Sequence, residues 1–376
     1  MLKEKPVVAC CLNRYLPLSQ TFIYEGLKGV RAVRMIVLAG ERENPALFPL
    51  PDVFFLPARR YTRGWFQYQI DRRLFRLLPH ERLARRKRVR LLHAHFGGSG
   101  VLALPLKRRL DVPLITTFHG YDISRRSWLI EQEEAYQELF AEGDLFLVGG
   151  GYMRRRLVEL GCPEEKIEIH HLGIDTQKFG FSYRRPGDNG KVVLLFVGRF
   201  TEKKGLPYAL RAVSRVFPSH RNMEFRIVGD GELRPQIEDL IRELGIGECV
   251  TLLGAQPSSR VAEEMAQAHI FLGPSVTAAD GDSEGTPITL MEAQSSGLPV
   301  VSTHHADIPE VVLDGESGFL VAEGDVEALA ERISYLIANP QSWEAMGEAG
   351  RRHIEQNYNS YLSTRELEGI YFRWLE

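Results

Sequence analysis

At 376 residues the chain has the length of two ordinary domains, each with room for its own core. A composition 44% hydrophobic and 26% charged excludes an intrinsically disordered chain and a coiled-coil rod, and no apolar run approaches the roughly 20 residues that a bilayer crossing needs. The net charge of −2 conceals an asymmetry: residues 1 to 180 carry 29 Lys and Arg against 20 Asp and Glu, and residues 181 to 376 carry 18 against 29, a balance of +9 against −11.

The first apolar stretch is short and is interrupted by Asn13 and Arg14, so no secretory leader is expected and the mature chain is expected to start at Met1. Val7 to Leu12, Arg34 to Leu38, Leu91 to His95, Leu114 to Phe118 and Leu145 to Val148 read as buried parallel strands. Between the second and third of these lies Arg59 to Arg90, with eleven arginines and Lys87 against only Asp71 and Glu81. Trp65, Phe66, Tyr68, Ile70, Leu74, Phe75, Leu77 and Leu78 are interleaved with these charges. Two readings stay open for this stretch: an amphipathic face on an anionic membrane surface, or a solvated helix pair packing on its own domain. A nucleic-acid partner is not expected, because the second half is acidic and no binding module is evident. Four cysteines, Cys10, Cys11, Cys162 and Cys249, form no C-x-x-C pair, which argues against a disulfide scaffold and a zinc site and fits a cytoplasmic location.

The turn-rich stretch Phe181 to Lys191 reads as a hinge. Beyond it Val192 to Val197, Glu224 to Val228, Val250 to Leu253, Ile270 to Leu272 and Pro299 to Ser302 repeat the order of strand, loop and helix. Parallel strands need crossover helices, so the chain is expected to form two doubly wound α/β domains, residues 1–180 and 190–359. Ser360 to Glu376 reads as a final helix anchored by Tyr361, Leu362, Leu367, Ile370, Tyr371 and Trp374.

Ligands of open α/β sheets bind beyond the carboxyl ends of the strands. Neither G-x-x-x-x-G-K-[ST] nor G-x-G-x-x-G after the first strand is present, which removes the main support for a P-loop NTPase or an ordinary dinucleotide dehydrogenase. After Val197 come Gly198, Arg199 and, six residues beyond Gly198, Lys204: close backbone, two cations and a helix start, which together make a diphosphate clamp. Pro287 and Gly297 punctuate a helix over about Pro287 to Ser296, with Glu284 just before it and Glu292 inside it. The carboxylates are then spread by order of 10 Å, comparable to the span from a sugar through a diphosphate to a ribose. One would accept hydroxyl hydrogens from the sugar and the other from the ribose, and free amides at Thr286 and Ile288 would face the phosphates. His119, at a strand end, suits hydrogen bonding to a sugar hydroxyl or proton shuttling near neutral pH. His93 and His95 read as structural or cleft-lining, and His170, His171, His304 and His305 give no metal site.

FVGRFTEKKG (Phe196 to Gly205), FRIVGDGEL (Phe225 to Leu233), DGDSEGTPITLMEAQSSGLPVV (Asp280 to Val301) and GESGFLV (Gly315 to Val321) resemble the donor half of the retaining glycosyltransferases of family 4. PLSQTFI (Pro17 to Ile23), HAHFG and TFHGYD extend the resemblance to the first half, in the branch making exopolysaccharides of the colanic-acid and amylovoran type. The resemblance implies the GT-B fold: two Rossmann-like domains facing across a cleft, the final helix 360–376 returning to an acceptor-binding first domain, and a donor-binding second domain. It implies that Arg199 and Lys204 neutralise the leaving diphosphate, that Glu284 binds the donor sugar and Glu292 the ribose, and that His119 sits near the anomeric carbon. The amides of Gly285, Thr286 and Ile288 would hold phosphate and sugar, with Gly198 and Pro287 in the same donor site. The glycines common in the family's first loop are replaced here by Asn13 to Thr21, so Ser19 and Gln20 are expected to supply hydrogen bonds instead.

The implied reaction transfers a hexose from a nucleotide-diphosphate sugar, UDP-hexose first and GDP-mannose second, to a hydroxyl of a glycan or lipid-linked acceptor. The implied route is front-face, retains configuration and needs no metal or cofactor; the expected location is cytoplasmic, and on the inner membrane face if the basic stretch takes the first of its two readings. A nucleotide-sugar epimerase, a phosphorylase on the same fold and a noncatalytic nucleotide-sugar binding protein are the alternatives.

Overall fold

In the computed structural model, which describes residues 4–17, 20–44, 46–55, 77–187 and 189–376, the β-branched runs form thirteen strands among the described residues. They are β1 Val7–Tyr15, β2 Arg34–Arg42, β3 Val53–Phe55, β4 Val89–His95, β5 Leu114–Thr117, β6 Leu145–Val148 and β7 Ile167–Ile169, then β8 Val192–Val197, β9 Met223–Val228, β10 Val250–Gly254, β11 Ile270–Gly273, β12 Val300–Thr303 and β13 Gly318–Val321. All the pairings between them are parallel. The chain divides into two compact units, Met1–Gly173 with Ser360–Glu376, and Ile174–Asn359.

In the first unit the strand order is β3-β2-β1-β4-β5-β6-β7, and in the second β10-β9-β8-β11-β12-β13. Both are doubly wound sheets, and each reverses direction beside its first strand: between β1 and β4, and between β8 and β11. In open α/β sheets the crevice outside the carboxyl ends of the strands at such a switch point is where ligands generally bind. Three strands escape the sequence reading. β3 and β7 have three residues each, and β13 begins at Gly318, where a Cβ would meet the Val300 carbonyl oxygen at 2.3 Å.

The β8 strand is buried along almost its whole length because helices cover both faces. On one face the helix Leu206–Val216 buries Leu206, Ala209, Leu210, Ala212, Val213 and Val216, the 3.6-residue spacing of a core-facing stripe.

The turn-rich stretch Phe181 to Lys191 is not where the units part. Arg184 is buried and donates to the carbonyls of Ala266 (2.6 Å), Ala268 (3.3 Å) and Ser296, so the segment belongs to the second unit. Its Pro and Gly residues mark a surface loop rather than a boundary. Asp188 within it lies outside the described residues.

The final helix, Ser360–Leu375, packs in the first unit through Leu367, Ile370, Tyr371 and Leu375. Tyr361 and Leu362, expected as anchors, are 65% and 48% exposed, because they lie at its solvent-facing start. Residues 56–76 of the basic stretch, and the side chains of Leu77 and Leu78, lie outside the described residues. In the described part, helix Leu77–Lys87 turns Leu83 and Ala84 into the core and pairs Arg85 with Glu81. Among the described residues no helix is long and apolar enough to cross a membrane.

Candidate active site

In the second unit, β8 runs into Gly198 and Arg199 and then a 3-10 turn, Glu202–Lys204, closed by Gly205 at φ +66°. A Cβ on Gly205 would stand 1.7 Å from the Pro274 carbonyl oxygen, so the turn is pressed against the chain leaving β11. Gly198 is itself closely packed within the unit. Its carbonyl oxygen is where a Cβ on Gly229 would fall, at 1.8 Å, and its own Cα faces the Lys204 side chain.

These contacts bring the clamp loop onto the acidic loop. Lys204 Nζ lies 2.9 Å from Glu284 Oε1, and Lys203 Nζ lies 2.9 Å from Asp282 Oδ1 and 3.0 Å from the Ser283 carbonyl oxygen. The Val276 amide donates to the Lys203 carbonyl at 2.9 Å. Burial pushes the Glu284 carboxyl up, but Lys204 and Lys203 together pull it down to about 2, so it is an anion at every working pH. Arg199 is exposed and makes no ion pair among the described residues.

Helix Ile288–Ser295 starts one residue after its expected beginning, with Pro287 as its N-cap. Gly285 and Thr286 are buried in the loop before it, and the Thr286 hydroxyl has no hydrogen-bond partner among the described residues. Glu292 is half-buried, and its carboxyl is pushed up to about 8 by desolvation, with Lys178 and Lys204 pulling weakly the other way. A carboxyl raised this far takes up a proton more readily than an ordinary glutamate and, when protonated, donates as well as accepts.

Behind this loop stands His305, 1% exposed, whose Nε2 accepts from the Glu284 amide at 3.0 Å and whose Nδ1 lies 2.6 Å from Glu323 Oε1. Glu323 in turn accepts from the Thr277 amide at 2.7 Å.

In the first unit, His119 follows β5 and is packed between Phe22, Phe96 and His95, with ring centroids 5.0, 4.6 and 5.2 Å away. Its Nε2 is 3.0 Å from His95 Nδ1. Burial, with His95 beside it, holds the imidazole well below its ordinary value, which favours the neutral ring. Asp122, fully buried, accepts from the amides of Gly97 (2.9 Å), His119 (3.0 Å) and Gly120 (3.0 Å), tying the loops after β4 and β5 together. His93 is structural: it bonds Tyr371 Oη at 2.6 Å and Thr117 Oγ1 at 2.7 Å. Gln20 sits at the N-terminus of helix Thr21–Gly29, its amide donating to the Pro17 carbonyl, and Ser19 lies outside the described residues. Among the described residues no group of three or more His, Cys, Asp or Glu could hold a metal ion.

Comparison with known proteins bears on this arrangement. Residues 183–353 match the family described as glycosyl transferases group 1, and residues 25–178 match glycosyltransferase family 4. Over 278 residues the chain is 38% identical to the amylovoran biosynthesis glycosyltransferase of Erwinia amylovora, covering 73% of this chain and 68% of that one. The chain belongs to the family 4 glycosyltransferases. It is also 38% identical over 283 residues to a putative colanic acid biosynthesis glycosyltransferase of Escherichia coli, covering 74% and 69%. An Anabaena protein crystallised with UDP superposes with a TM-score of 0.82 over 98% of this chain and 100% of that one. At 16% identity that likeness is one of fold, and the fold is GT-B.

Within this glycosyltransferase the second unit brings together Gly198, Lys204, Glu284 and the Gly285–Ile288 run, as the motifs implied. The sequence reading missed Lys203, His305, Glu323 and Asp122. Lys203 is hidden by standing beside a better-placed lysine, and Asp122 lies in TFHGYD, three positions after the histidine it holds. Nothing in the local sequence pairs His305 with Glu323.

Proposed function

We propose that this glycosyltransferase moves a hexose from a nucleoside-diphosphate sugar, UDP-hexose before GDP-mannose, to a hydroxyl of a glycan or lipid-linked acceptor in exopolysaccharide synthesis. Configuration at the anomeric carbon is retained and no metal is required. The observation that carries the reading is the Lys204–Glu284 pair at the switch point of the second sheet, next to a helix start whose buried Thr286 hydroxyl has no hydrogen-bond partner among the described residues. The exopolysaccharide assignment is supported by the two relatives at 38% identity, named for amylovoran and colanic acid biosynthesis.

As the bond between the anomeric carbon and the diphosphate breaks, negative charge grows on the leaving phosphate. Lys204, Arg199 and the amides of Gly285, Thr286 and Ile288 supply fixed positive charge and dipoles for it, worth a few kcal/mol per group. Glu284, held ionised, accepts hydroxyl hydrogens from the sugar, and Glu292 meets the ribose. Gly198, Pro287, Ser19 and Gln20 are assigned to the donor site and neutral His119 to the donor sugar. The basic stretch Arg59 to Arg90 is assigned to an anionic membrane surface carrying the acceptor; flotation with anionic liposomes at low salt tests it, and failure to float removes it.

The test of the donor site is thermal stability of the full chain against UDP, GDP and ADP, with and without a chelator. A rise in midpoint selective for UDP, unaffected by the chelator and abolished by Glu292→Ala, is expected. No rise with any of the three overturns the reading. Isomerisation of the donor sugar without acceptor would instead indicate an epimerase, and binding without turnover on any acceptor a noncatalytic protein. The anomeric configuration of the product, read by NMR, tests retention.

A further inference from the structure

The acidic loop is gripped from two sides, and only one grip involves the clamp lysines. Lys203 holds Asp282 and the Ser283 carbonyl. The next amide, that of Glu284, is held by His305, which follows β12 and is itself fixed by the short turn into helix Ile308–Val311, where the Ile308 amide donates to the His305 carbonyl at 2.9 Å. His305 Nδ1 points the other way, to Glu323 just beyond β13, and Glu323 is anchored by the Thr277 amide in the chain leaving β11.

The proton positions follow from the donors and acceptors. A backbone amide only donates, so Nε2 must be bare; a carboxylate only accepts, so Nδ1 must carry the hydrogen. Both bonds form only with the neutral Nδ1–H tautomer. Glu323 therefore selects the tautomer that lets His305 receive the Glu284 amide, in the way that an outer carboxylate orients a histidine beside a metal or substrate.

We propose that His305 is a positioning residue for the donor site: through its Glu323-selected tautomer it fixes the main chain at Glu284, and thereby the sugar-facing carboxylate and the amide run that begins at Gly285. This rests on the reading of Glu284 given above. The buried Glu284 amide has no other partner among the bonds of this loop, so without His305 the carboxylate is free to leave the geometry that Lys204 and the sugar need.

Four full-chain variants test it: His305→Ala, His305→Gln, Glu323→Gln and, in parallel, Glu284→Ala. His305→Ala is expected to lower kcat/KM for the sugar donor about tenfold or more while affinity for free UDP, measured by calorimetry, changes less than about threefold, since UDP carries no sugar for Glu284 to hold. His305→Gln, whose amide oxygen accepts, is expected to recover to within about threefold of the parent. Glu323→Gln no longer forces the tautomer and is expected to fall between them. Long-range 1H–15N spectra are expected to show His305 as Nδ1–H in the parent, and exchange of the Glu284 amide is expected to quicken in His305→Ala. An Nε2–H tautomer in the parent, a His305→Ala enzyme as active as the parent, or His305→Gln as impaired as His305→Ala overturns the proposal. Should His305→Ala fail to fold, the tautomer spectrum and the other two variants decide. Full turnover by Glu284→Ala would sink the reading of Glu284 itself, and the spectrum and amide exchange would still report separately on His305.

Discussion

Lys204 Nζ stands 2.9 Å from Glu284 Oε1, so the cation assigned to the phosphate and the carboxylate assigned to the sugar are partners before any substrate arrives. Glu284 is 7% exposed, and a charge that deep is tolerated only because its partner is present. The pair lets a donor exchange one set of charge-assisted bonds for another without first desolvating either group.

Breaking this pair from one side should therefore hurt twice. Lys204→Met and Glu284→Gln are each expected to reduce kcat/KM about a hundredfold or more, and the lysine variant to cost about 3 kcal/mol in urea unfolding by leaving a buried carboxylate. The double variant should regain most of that stability and none of the activity. Equal destabilisation of the single and double variants would show the pair to be uncoupled.

Lys203 and Lys204 are matched by Asp282 and Glu284, so this cluster carries no surplus charge, and Arg199 is left as the exposed cation of the clamp. Arg199→Ala is expected to raise the donor KM about tenfold and to flatten its dependence on salt, because an exposed charge is the one that ions screen. A salt dependence identical to the parent would assign the attraction elsewhere.

The two glutamates of the site should leave opposite signatures in stability against pH. Glu292, at about 8 when folded against an ordinary 4.5, keeps a proton that the unfolded chain has lost across that window. Its contribution is thus complete below pH 4.5 and declines toward 8, by at most about 1.4 kcal/mol per pH unit; Glu292→Gln should flatten that decline. Glu284, at about 2, behaves in reverse: its contribution is complete above 4.5 and is lost on acidification toward 2. Glu284→Gln should remove that acid-side loss, and urea titrations between pH 3 and 8 would separate the two.

The parts legible in the sequence are those where one short segment carries both the geometry and the chemistry. Val192–Val197 followed by Gly198 and Lys204, and Glu284 ahead of a helix begun by Pro287, announce themselves through strand composition, glycine and a cap. The His305–Glu323 link and Asp122's hold on Gly97 are made between segments brought together only by sheet pairing, and no local period encodes them. Glycine and proline signal a turn equally on a surface loop and at a boundary, so residues 181–191 read as a hinge from sequence; what decides is Arg184 buried against three carbonyls of the second unit.

Gly205 offers a test of the clamp's backbone. Its φ of +66° and the Pro274 carbonyl oxygen 1.7 Å from any Cβ leave no room for a side chain. Gly205→Ala should cost about 3 kcal/mol or more and displace Lys204 from Glu284. An unchanged Tm with full activity would mean that the turn is looser than its contacts indicate.

Asp122 binds three amides with two oxygens, and the loops it joins carry Phe96 and His119. Burial drives its carboxyl up to about 6, with the Gly97, His119 and Gly120 amides drawing it back, so near pH 7 it is mostly ionised and acceptor-only. Asp122→Asn keeps the volume but turns an NH2 group toward at least one of those amides, a clash of donors expected to cost about 1 to 3 kcal/mol. Because the His119 ring is held by its neighbours Phe96, Phe22 and His95, the loosened loop should lower kcat more than it raises the donor KM. Asp122→Ala, which leaves all three amides without an acceptor but introduces no opposing donor, should be the less stable of the two if hydrogen bonding dominates and the more stable if the donor clash does. Differential scanning calorimetry on both variants distinguishes these outcomes, and parent-like stability in both would dismiss Asp122 as the tie between the loops.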